Sequence, residues 1–370
     1  MKKFKIIFTA NVLWDIYIFR YGVIKALIED GHEVIAVAPK DERIDFPKDL
    51  GIRHIPIELK MRGINPLKDL SLLKQLINIY RKEKPDIIFH YTIKPNIYGT
   101  LAAKLVKIPS IAVLTGLGYS FVEGGIVSRV AKAMYRFALI FSKEVWVLNS
   151  DDRNKLIEEK IVKSDKIFIL PGEGVDTEKF YPMKKEENSE IIFLMVARAF
   201  YDKGFNEYVE AAKIIKRKYS KVRFWFLGAL GGDTANGVND IKMQEYVDCG
   251  LIEYLGHRKD VDRVINDSDC VVLPSYREGI SKVLMEAASM EKPIIATDVT
   301  GCKEIVDDGV NGYLVKVKDS DDLAFKLEKF IKLDKKARDI LGKNGRVKIL
   351  KEFDEKIIIE IYRRKLWNLQ

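Results

Sequence analysis

The chain has 370 residues, of which 47% are hydrophobic and 32% charged, and its formal net charge is +9. This length exceeds what one hydrophobic core usually serves, and the composition excludes a disordered or collagen-like chain. Three cysteines without a Cys-x-x-Cys pair exclude a disulfide framework and a zinc ribbon.

Short apolar runs alternate with longer helical patterns from the first residues onward. A strand at 5–9, a helix near 18–29 and a strand at 33–38 predict a parallel sheet covered by helices. Further strands are predicted at 86–90, 110–114, 144–148 and 166–170. We expect residues 1–172 to form a Rossmann-like domain that opens on a buried strand rather than a signal peptide, in a cytoplasmic protein.

Residues 60–143 concentrate the basic surplus, with 14 Lys or Arg against 4 Asp or Glu, a local charge of +10. Such a surplus favours an anionic partner: a phosphate-rich substrate, a nucleic acid or an anionic membrane surface. Basic residues recur at near-helical spacing beside apolar ones over 124–143, which predicts an amphipathic helix suited to a membrane surface. An ordinary packed helix with a solvated basic face is the alternative.

A polar stretch without apolar periodicity predicts a linker at 173–190. A second series of strands, at 191–196, 223–228, 252–256, 270–274 and 293–297, predicts another Rossmann-like domain over 191–350. Residues 337–369 are helical in pattern, and 351–370 are expected to cross back over the domain junction. The fold class is therefore α/β, and ligands are expected in the cleft where the two domains face each other.

The loop after the first strand of the second series carries two cations, Arg198 and Lys203. A guanidinium binds phosphate oxygens as a fork and an ammonium binds them as a point charge. Together they would stabilise a leaving diphosphate, a role that other enzymes give to a divalent metal. No metal site is predicted, because Asp267-Ser268-Asp269 directly precedes a buried strand, which favours a cap-and-turn role.

The most specific signal lies at 274–287, where a strand ends, a glycine loop follows and a helix begins. Glu278 lies in the loop and Glu286 about one and a half turns inside the helix, so both can face a ligand over the helix N-terminus. Backbone N–H groups around Ile280, Ser281 and Lys282 are unpaired there and suit phosphate oxygens.

These two motifs resemble those of the retaining GT-B glycosyltransferases of family 4, and the resemblance covers nearly the whole chain. It extends to Thr115-Gly116-Leu117-Gly118-Tyr119-Ser120-Phe121, Asn149-Ser150-Asp151-Asp152, Pro171-Gly172-Glu173-Gly174-Val175-Asp176 and the run at 298–306. This set is similar to the subgroup described as α-1,3-N-acetylgalactosaminyltransferases acting on undecaprenyl-diphosphate-linked sugars.

The resemblance implies a role for each matching residue. Arg198 and Lys203 would hold the donor diphosphate, Glu278 would contact the donor sugar, and Glu286 would bind the ribose hydroxyls. The remaining donor contacts would come from the uracil-side residues His257 and Arg258 and from the loop residues Gly279, Ile280, Ser281 and Lys282. For His257, an exposed or capping histidine is the alternative.

The first domain departs from the family pattern in two places. The first loop, 9–15, lacks the glycines that many members have there, so Asn11 is predicted to contact the acceptor or the donor instead. Many members also place a histidine near the reacting sugar. Here His90 is the predicted catalytic residue, although the family's usual spacing to Lys94 would select Tyr91.

The resemblance implies transfer of a hexose or N-acetylhexosamine from a UDP-sugar, without metal or cofactor, to a polyprenyl-diphosphate-linked saccharide in surface glycan or oligosaccharide biosynthesis. The enzyme would act at the inner face of the cell membrane, held there through residues 60–143, with no nucleic-acid partner. The alternatives are a UDP-N-acetylhexosamine 2-epimerase of the same fold and a basic nucleic-acid-binding protein. An NAD dehydrogenase is disfavoured because Gly116-Leu117-Gly118 lacks the third glycine of a dinucleotide fingerprint.

Overall fold

The computed structural model describes residues 2–41, 50–59, 66–117, 125–185, 189–232 and 234–369. The chain divides into two compact units, Met1–Glu173 with Glu355–Gln370, and Gly174–Asp354. Each unit is built on one parallel sheet, so the predicted α/β class with two Rossmann-like units is confirmed. The predicted features at 60–65, 118–124 and 186–188 lie outside the described residues.

The first unit contains a seven-stranded parallel sheet with helices between its strands. Its strands are β1 (Lys5–Thr9), β2 (Glu33–Ala38), β3 (Arg53–Pro56), β4 (Ile87–Tyr91), β5 (Ser110–Leu114), β6 (Glu144–Val147) and β7 (Ile167–Ile169). They lie in the order β3-β2-β1-β4-β5-β6-β7. Its helices are α1 (Leu13–Glu29), α2 (Pro66–Glu83), a π-helical turn (Pro95–Gly99), α3 (Thr100–Leu105), α4 (Gly125–Leu139) and α5 (Ser150–Glu158).

The second unit repeats this plan with six strands. They are β8 (Ile191–Val196), β9 (Val222–Leu227), β10 (Glu253–Tyr254), β11 (Cys270–Leu273), β12 (Ile294–Thr297) and β13 (Gly312–Val315), in the order β10-β9-β8-β11-β12-β13. The helices are α6 (Phe205–Lys216), α7 (Asp240–Asp248), α8 (Val261–Asp267), α9 (Lys282–Ser289), α10 (Ser320–Ile331) and α11 (Lys335–Glu352).

The inner strands are largely apolar because helices cover both faces of each sheet. Along β8, Phe193 and Met195 enter one core cluster while Leu194, which points to the opposite face, enters another. In the first unit all five residues of β4 are buried. Alternate side chains of one strand therefore fill two different cores.

The strand order reverses beside the first strand of each sheet, between β1 and β4 and between β8 and β11. In open α/β sheets, ligands bind outside the carboxyl ends of the strands at such a reversal. Asn11 and Thr92 follow β1 and β4, whereas the loops that carry Lys203 and Glu278 follow β8 and β11. The fold thus brings the predicted motif loops of the second unit side by side.

The C-terminal helical pattern is divided into two helices, α11 in the second unit and α12 (Glu355–Trp367) in the first. The break lies at Phe353 and Asp354, where the Val175 N–H donates to the Phe353 carbonyl at 2.9 Å and the Thr177 hydroxyl to Asp354 at 2.8 Å. In the first unit, Tyr362 of α12 packs against Phe89, with ring centroids 4.9 Å apart.

The strand predictions were wrong in three places. The strands β3 and β13 were not predicted, because each is a four-residue edge strand and too short to show a period. The strand predicted at 252–256 contains only Glu253 and Tyr254.

Candidate functional site

The two predicted motif loops of the second unit are bonded to each other. The Tyr276 N–H donates to the Asp202 carbonyl at 2.9 Å, and the Ser275 hydroxyl donates to the same oxygen at 3.3 Å. Because these loops leave neighbouring strands at the same edge of the sheet, backbone bonds can fix their spacing. The charged side chains on the two loops are therefore held on one framework.

Lys203 and Glu278 meet at this edge. The Lys203 ammonium lies 2.6 Å from the Glu278 carboxylate, and the two side chains are 23% and 16% exposed. A charge-assisted hydrogen bond of this length orients both groups, and partial exposure leaves room for a ligand to reach them. The structure thus joins one residue from each sequence motif into a single ion pair.

Gly204 makes this approach possible. It ends the 3-10 turn Tyr201–Lys203, begins α6 and has a φ of +77°. A Cβ at this position would overlap the carbonyl oxygen of Pro274, the residue directly after β11. Only glycine therefore fits where the Lys203 loop passes the strand that leads to Glu278.

A third loop supports Glu278 from the other side. The Glu278 N–H donates to the Thr300 carbonyl at 3.1 Å, and Gly301, with a φ of +86°, lies so close that a Cβ would overlap the Glu278 backbone. The Gly301 N–H in turn donates to Glu304 at 2.6 Å. The run 298–306 belongs to the predicted resemblance, but no role was predicted for Gly301.

Ser281 caps α9, and its backbone N–H is already bonded within the protein. Its hydroxyl oxygen accepts from the Leu284 N–H at 3.4 Å, and its N–H donates to the Gly301 carbonyl at 2.9 Å. The predicted backbone contact from Ser281 is therefore corrected to a capping role. Neighbouring Ile280 has no hydrogen-bond partner for its N–H among the described residues, so it stays a candidate donor. Gly279 and Lys282 lie beside it and are half-buried.

Glu286 lies on α9 with only 9% of its surface exposed. Burial raises the pKa of this carboxyl to about 7, although the nearby charges of Lys282 and Lys179 lower it. No hydrogen bond to its side chain occurs within the part of the chain that the structure describes. A buried carboxyl without a partner costs stability, so it is a candidate for ligand contact.

The remaining predicted donor residues lie on the surface of the second unit. Arg198 is exposed and stacks over Phe200, with its guanidinium 4.9 Å from the ring centroid. His257 is exposed. Arg258 pairs with Asp260 at 2.9 Å, and this pairing lowers the pKa of Asp260 to about 2. None of these contacts joins Arg198 or Arg258 to the Lys203–Glu278 pair.

His90 is a core residue, and its prediction as a catalytic residue is corrected. It is fully buried on β4, where its Nε2 lies 3.0 Å from the Tyr80 hydroxyl and its Nδ1 lies 3.4 Å from the Thr100 hydroxyl. Burial lowers the pKa of the imidazole to about 3. Gly99 packs directly against the ring, where a Cβ would collide with it. Both ring nitrogens are therefore occupied within the first unit.

The alternative residue, Tyr91, is also enclosed. Its hydroxyl lies 2.7 Å from the Tyr362 hydroxyl, and the guanidinium of Arg20 lies 4.1 Å from its ring centroid. Asn11 is half-buried at the carboxyl end of β1, with its N–H bonded to Thr92 at 3.2 Å. Of the predicted residues in the first unit, Asn11 is thus the one at the edge of the sheet.

The Asp267-Ser268-Asp269 string has a structural role. Asp269 accepts from Lys185 at 2.5 Å and from the Ile192 N–H at 2.8 Å, and the Ser268 hydroxyl donates to the Ile265 carbonyl. These bonds tie the start of β11 to the start of β8. Among the described residues, no group of three or more His, Cys, Asp or Glu is placed to hold a metal ion.

The predicted basic helix over 124–143 corresponds to α4. Its outward face carries Arg129, Val130, Phe137 and, just beyond the helix, Ile140, all exposed. Over the described ranges, no helix combines the length and the apolar character needed to cross a bilayer.

Comparison with known proteins identifies the family. Residues 176–348 match the family described as glycosyl transferases group 1, and residues 5–149 match the family described as glycosyl transferase 4-like. The chain is 30% identical, over 96% of both chains, to N,N'-diacetylbacillosaminyl-diphospho-undecaprenol alpha-1,3-N-acetylgalactosaminyltransferase of Campylobacter jejuni.

Two further proteins are similar. A UDP-Gal:alpha-D-GlcNAc-diphosphoundecaprenol alpha-1,3-galactosyltransferase of Escherichia coli is 29% identical over 83% of this chain and 81% of its own. The structure of Anabaena Alr3699/HepE in complex with UDP has a TM-score of 0.79, covers 98% of this chain and 100% of that one, and is 19% identical. The GT-B fold prediction is confirmed by this likeness. The chain belongs to this glycosyltransferase family, and the predicted resemblance to the GT-B glycosyltransferases of family 4 is confirmed.

Proposed function

We propose that this glycosyltransferase moves a hexose or N-acetylhexosamine from a UDP-sugar to a polyprenyl-diphosphate-linked saccharide, with retention of configuration. The observation that carries the proposal is the Lys203–Glu278 pair, held at the strand-order reversal of the second unit. The C. jejuni and E. coli relatives, whose names specify diphospho-undecaprenol-linked acceptors, support it. The family assignment favours transfer over the epimerase and nucleic-acid-binding alternatives.

The donor diphosphate would lie over the Lys203–Glu278 pair. The Lys203 ammonium would donate to a phosphate oxygen as well as to Glu278. Glu278 could then accept from a hydroxyl of the donor sugar. Arg198 would reach the diphosphate from its exposed position, and the Ile280 N–H would add a neutral donor. Glu286 would accept from the ribose hydroxyls, which would give its buried carboxylate hydrogen bonds.

The chemistry exchanges one bond at the anomeric carbon for another. The bond from that carbon to the diphosphate oxygen breaks, and a bond to the acceptor hydroxyl oxygen forms on the same face of the sugar. The acceptor proton passes to the leaving phosphate, so atoms and charge balance without a protein nucleophile. The α linkage named for the E. coli relative supports retention, since its named donor, UDP-galactose, carries the nucleotide in the α configuration.

The proposal does not require a divalent metal. Lys203 and Arg198 would supply the positive charge that a metal gives to the leaving diphosphate in other transferases. A preorganised cation in a partly enclosed site stabilises developing negative charge more than it would in water.

We further propose that the enzyme works at the cytoplasmic face of the membrane, with the basic surface of the first unit against anionic lipid. The exposed face of α4 carries Arg129 beside the apolar side chains of Val130 and Phe137, with Ile140 just beyond the helix. Arg129 has no hydrogen bond or ion pair through its side chain among the described residues. Unpaired cations beside apolar side chains are what an anionic leaflet attracts.

Product analysis tests the transfer proposal. Purified protein would be incubated with labelled UDP-sugars and a short polyprenyl-diphosphate-linked saccharide, with EDTA present. We expect one UDP-sugar to yield an α-linked product. A β-linked product would refute retention, activity only with added Mg²⁺ would refute metal independence, and conversion of the UDP-sugar without an acceptor would favour the epimerase.

A further inference from the structure

Thr92 has a backbone conformation that β-branched residues rarely adopt. Its φ is +69°, in the left-handed region where the Cβ of threonine is crowded. Thr92 directly follows β4, at the strand-order reversal of the first sheet. Strain of this kind persists only where the surroundings impose it, and it concentrates at functional sites.

The Thr92 hydroxyl connects the ends of two neighbouring strands. It donates to the carbonyl of Tyr91 and accepts from the Asn11 N–H at 3.2 Å. Asn11 is the second residue after β1, and the preceding Ala10 N–H donates to the Val37 carbonyl at 3.1 Å. The strained residue therefore fixes the backbone from which the Asn11 side chain projects.

The side chain of Asn11 is incompletely bonded. Its Oδ1 is shielded from solvent and has no hydrogen-bond donor among the described residues. Unsatisfied polar atoms of this kind are rare in native structures and call for an explanation. A donor supplied by a bound molecule would satisfy it.

We propose that Thr92 is a positioning residue that holds Asn11 for contact with a hydroxyl group of the acceptor saccharide. This inference rests on the function proposed above, since a saccharide offers neutral O–H donors that suit an amide carbonyl. The contact differs in kind from those of Lys203 and Arg198, which would bind phosphate. Asn11 and Thr92 occupy, in the first sheet, the position that the Lys203 and Glu278 loops occupy in the second.

The test compares substitutions that separate the hydroxyl from the shape of Thr92. Thr92→Val keeps the β-branch and the backbone strain but removes the hydroxyl, whereas Thr92→Ser keeps the hydroxyl. We expect Thr92→Val to lower kcat/KM for the acceptor about tenfold, mainly through KM, and Thr92→Ser to stay within about twofold of wild type. The double variant Thr92→Val/Asn11→Ala should be no worse than Asn11→Ala, because both changes remove one contact.

Each outcome decides between definite alternatives. Additive losses in the double variant, or wild-type kinetics in folded Thr92→Val, would overturn the positioning role. A raised KM for the UDP-sugar alone would overturn the assignment to the acceptor and give the contact to the donor sugar. If Thr92→Val did not fold, Thr92→Ala, which lacks the hydroxyl, would be compared with Thr92→Ser, which keeps it. If the wild-type protein transferred no sugar, both the proposed function and this inference would be wrong. If the wild type were active and the losses in the double variant were additive, only this inference would be wrong.

Discussion

The Lys203 ammonium and the Glu278 carboxylate lie 2.6 Å apart although 74 residues separate them along the chain. Three loops fix this pair: the Lys203 loop, the Glu278 loop and the Thr300–Gly301 loop that supports Glu278. A partly exposed ion pair contributes little to stability by itself. The three loops therefore fix the position of a pair that adds little to stability, and substitution can test its proposed role in donor binding.

Lys203→Ala is expected to lower the transfer rate at least about a hundredfold, or about 2.7 kcal/mol in the barrier. The loss follows because the leaving diphosphate would no longer have its point charge, while Glu278 would repel it. Steady-state kinetics with the UDP-sugar identified by product analysis would measure the effect, with circular dichroism to show that the fold survives.

A second ion pair of the same unit provides the control. Lys185 and Asp269 lie 2.5 Å apart and are exposed to a similar degree, at 22% and 26%. Lys185→Ala should reduce stability as much as Lys203→Ala does, yet leave kcat near that of wild type. Equal losses of activity in Lys203→Ala and Lys185→Ala would show that the Lys203–Glu278 pair has only a structural role. Recovery of activity in the double variant Lys203→Ala/Glu278→Ala would show the same.

Gly204→Ala should destabilise the second unit more than the same substitution at Gly250, a glycine with a similar left-handed backbone. Gly250, with a φ of +65°, has open space around its Cβ position, so Gly250→Ala should cost about 1–2 kcal/mol for its left-handed backbone alone. Gly204→Ala adds overlap with the Pro274 carbonyl, which should cost about 1–3 kcal/mol more. Urea unfolding of both variants measures the difference. Equal costs would contradict the close approach of Gly204 to the Pro274 carbonyl.

Glu286→Gln is expected to make the protein more stable at pH 8 and to weaken its binding of UDP. Because the folded protein holds this carboxyl proton up to about pH 7 while the unfolded chain releases it near pH 4.5, unfolding free energy falls as pH rises between these values. Glutamine cannot ionise, so at pH 8 the variant should be more stable than wild type by on the order of 3 kcal/mol, and at pH 4.5 about equal.

The same variant should bind UDP more weakly, about tenfold at pH 8, because the amide replaces a carboxylate acceptor for the ribose. The deficit should shrink at pH 6, where the wild-type carboxyl is itself protonated. Calorimetric titration with UDP at both pH values measures this. Unchanged affinity at pH 8 would remove Glu286 from the donor site.

The Lys203 and Glu278 motifs were predictable from the sequence because each directly follows a recognisable apolar strand. Parallel strands that begin such motifs must end at one edge, so proximity followed from fold class alone. The role of Gly301 was not predictable in this way. Gly301 allows its loop to pass close to the backbone of Glu278, and the local sequence does not indicate which distant segment will contact this glycine.

His90 shows the converse failure. A histidine at the end of a strand has the same local sequence pattern whether its side chain faces a ligand or the core. The face of the sheet on which the side chain lies decides between these two environments. The partners that occupy its ring, Tyr80 and Thr100, come from a preceding and a following helix. Only the packing of these helices reveals that the imidazole is enclosed.

His90→Gln should change the response of stability to acid rather than catalysis. The buried imidazole stays neutral down to about pH 3, whereas the unfolded chain binds a proton near pH 6.5, so the wild type loses stability as pH falls below 6.5. By pH 5 this contribution is on the order of 2 kcal/mol, and it should be absent in His90→Gln. Unfolding curves at pH 7 and pH 5 measure it. A hundredfold loss of kcat in a folded variant would return His90 to the active site.

Substitutions on the exposed face of α4 should release the protein from anionic membranes. A cation near such a surface contributes on the order of 1 kcal/mol and exposed apolar side chains add contact, so Arg129→Glu/Phe137→Ser/Ile140→Ser should weaken binding to phosphatidylserine-containing vesicles by at least about tenfold. A control with the same change of net charge and apolar surface lies on α11: Lys351→Glu/Val347→Ser/Leu350→Ser. Vesicle sedimentation measures both, and the control should bind as wild type does. Equal losses in the two triple variants would show that the overall change of charge and apolar surface acts rather than this face, and equal binding of wild type to neutral and anionic vesicles would exclude the electrostatic contact.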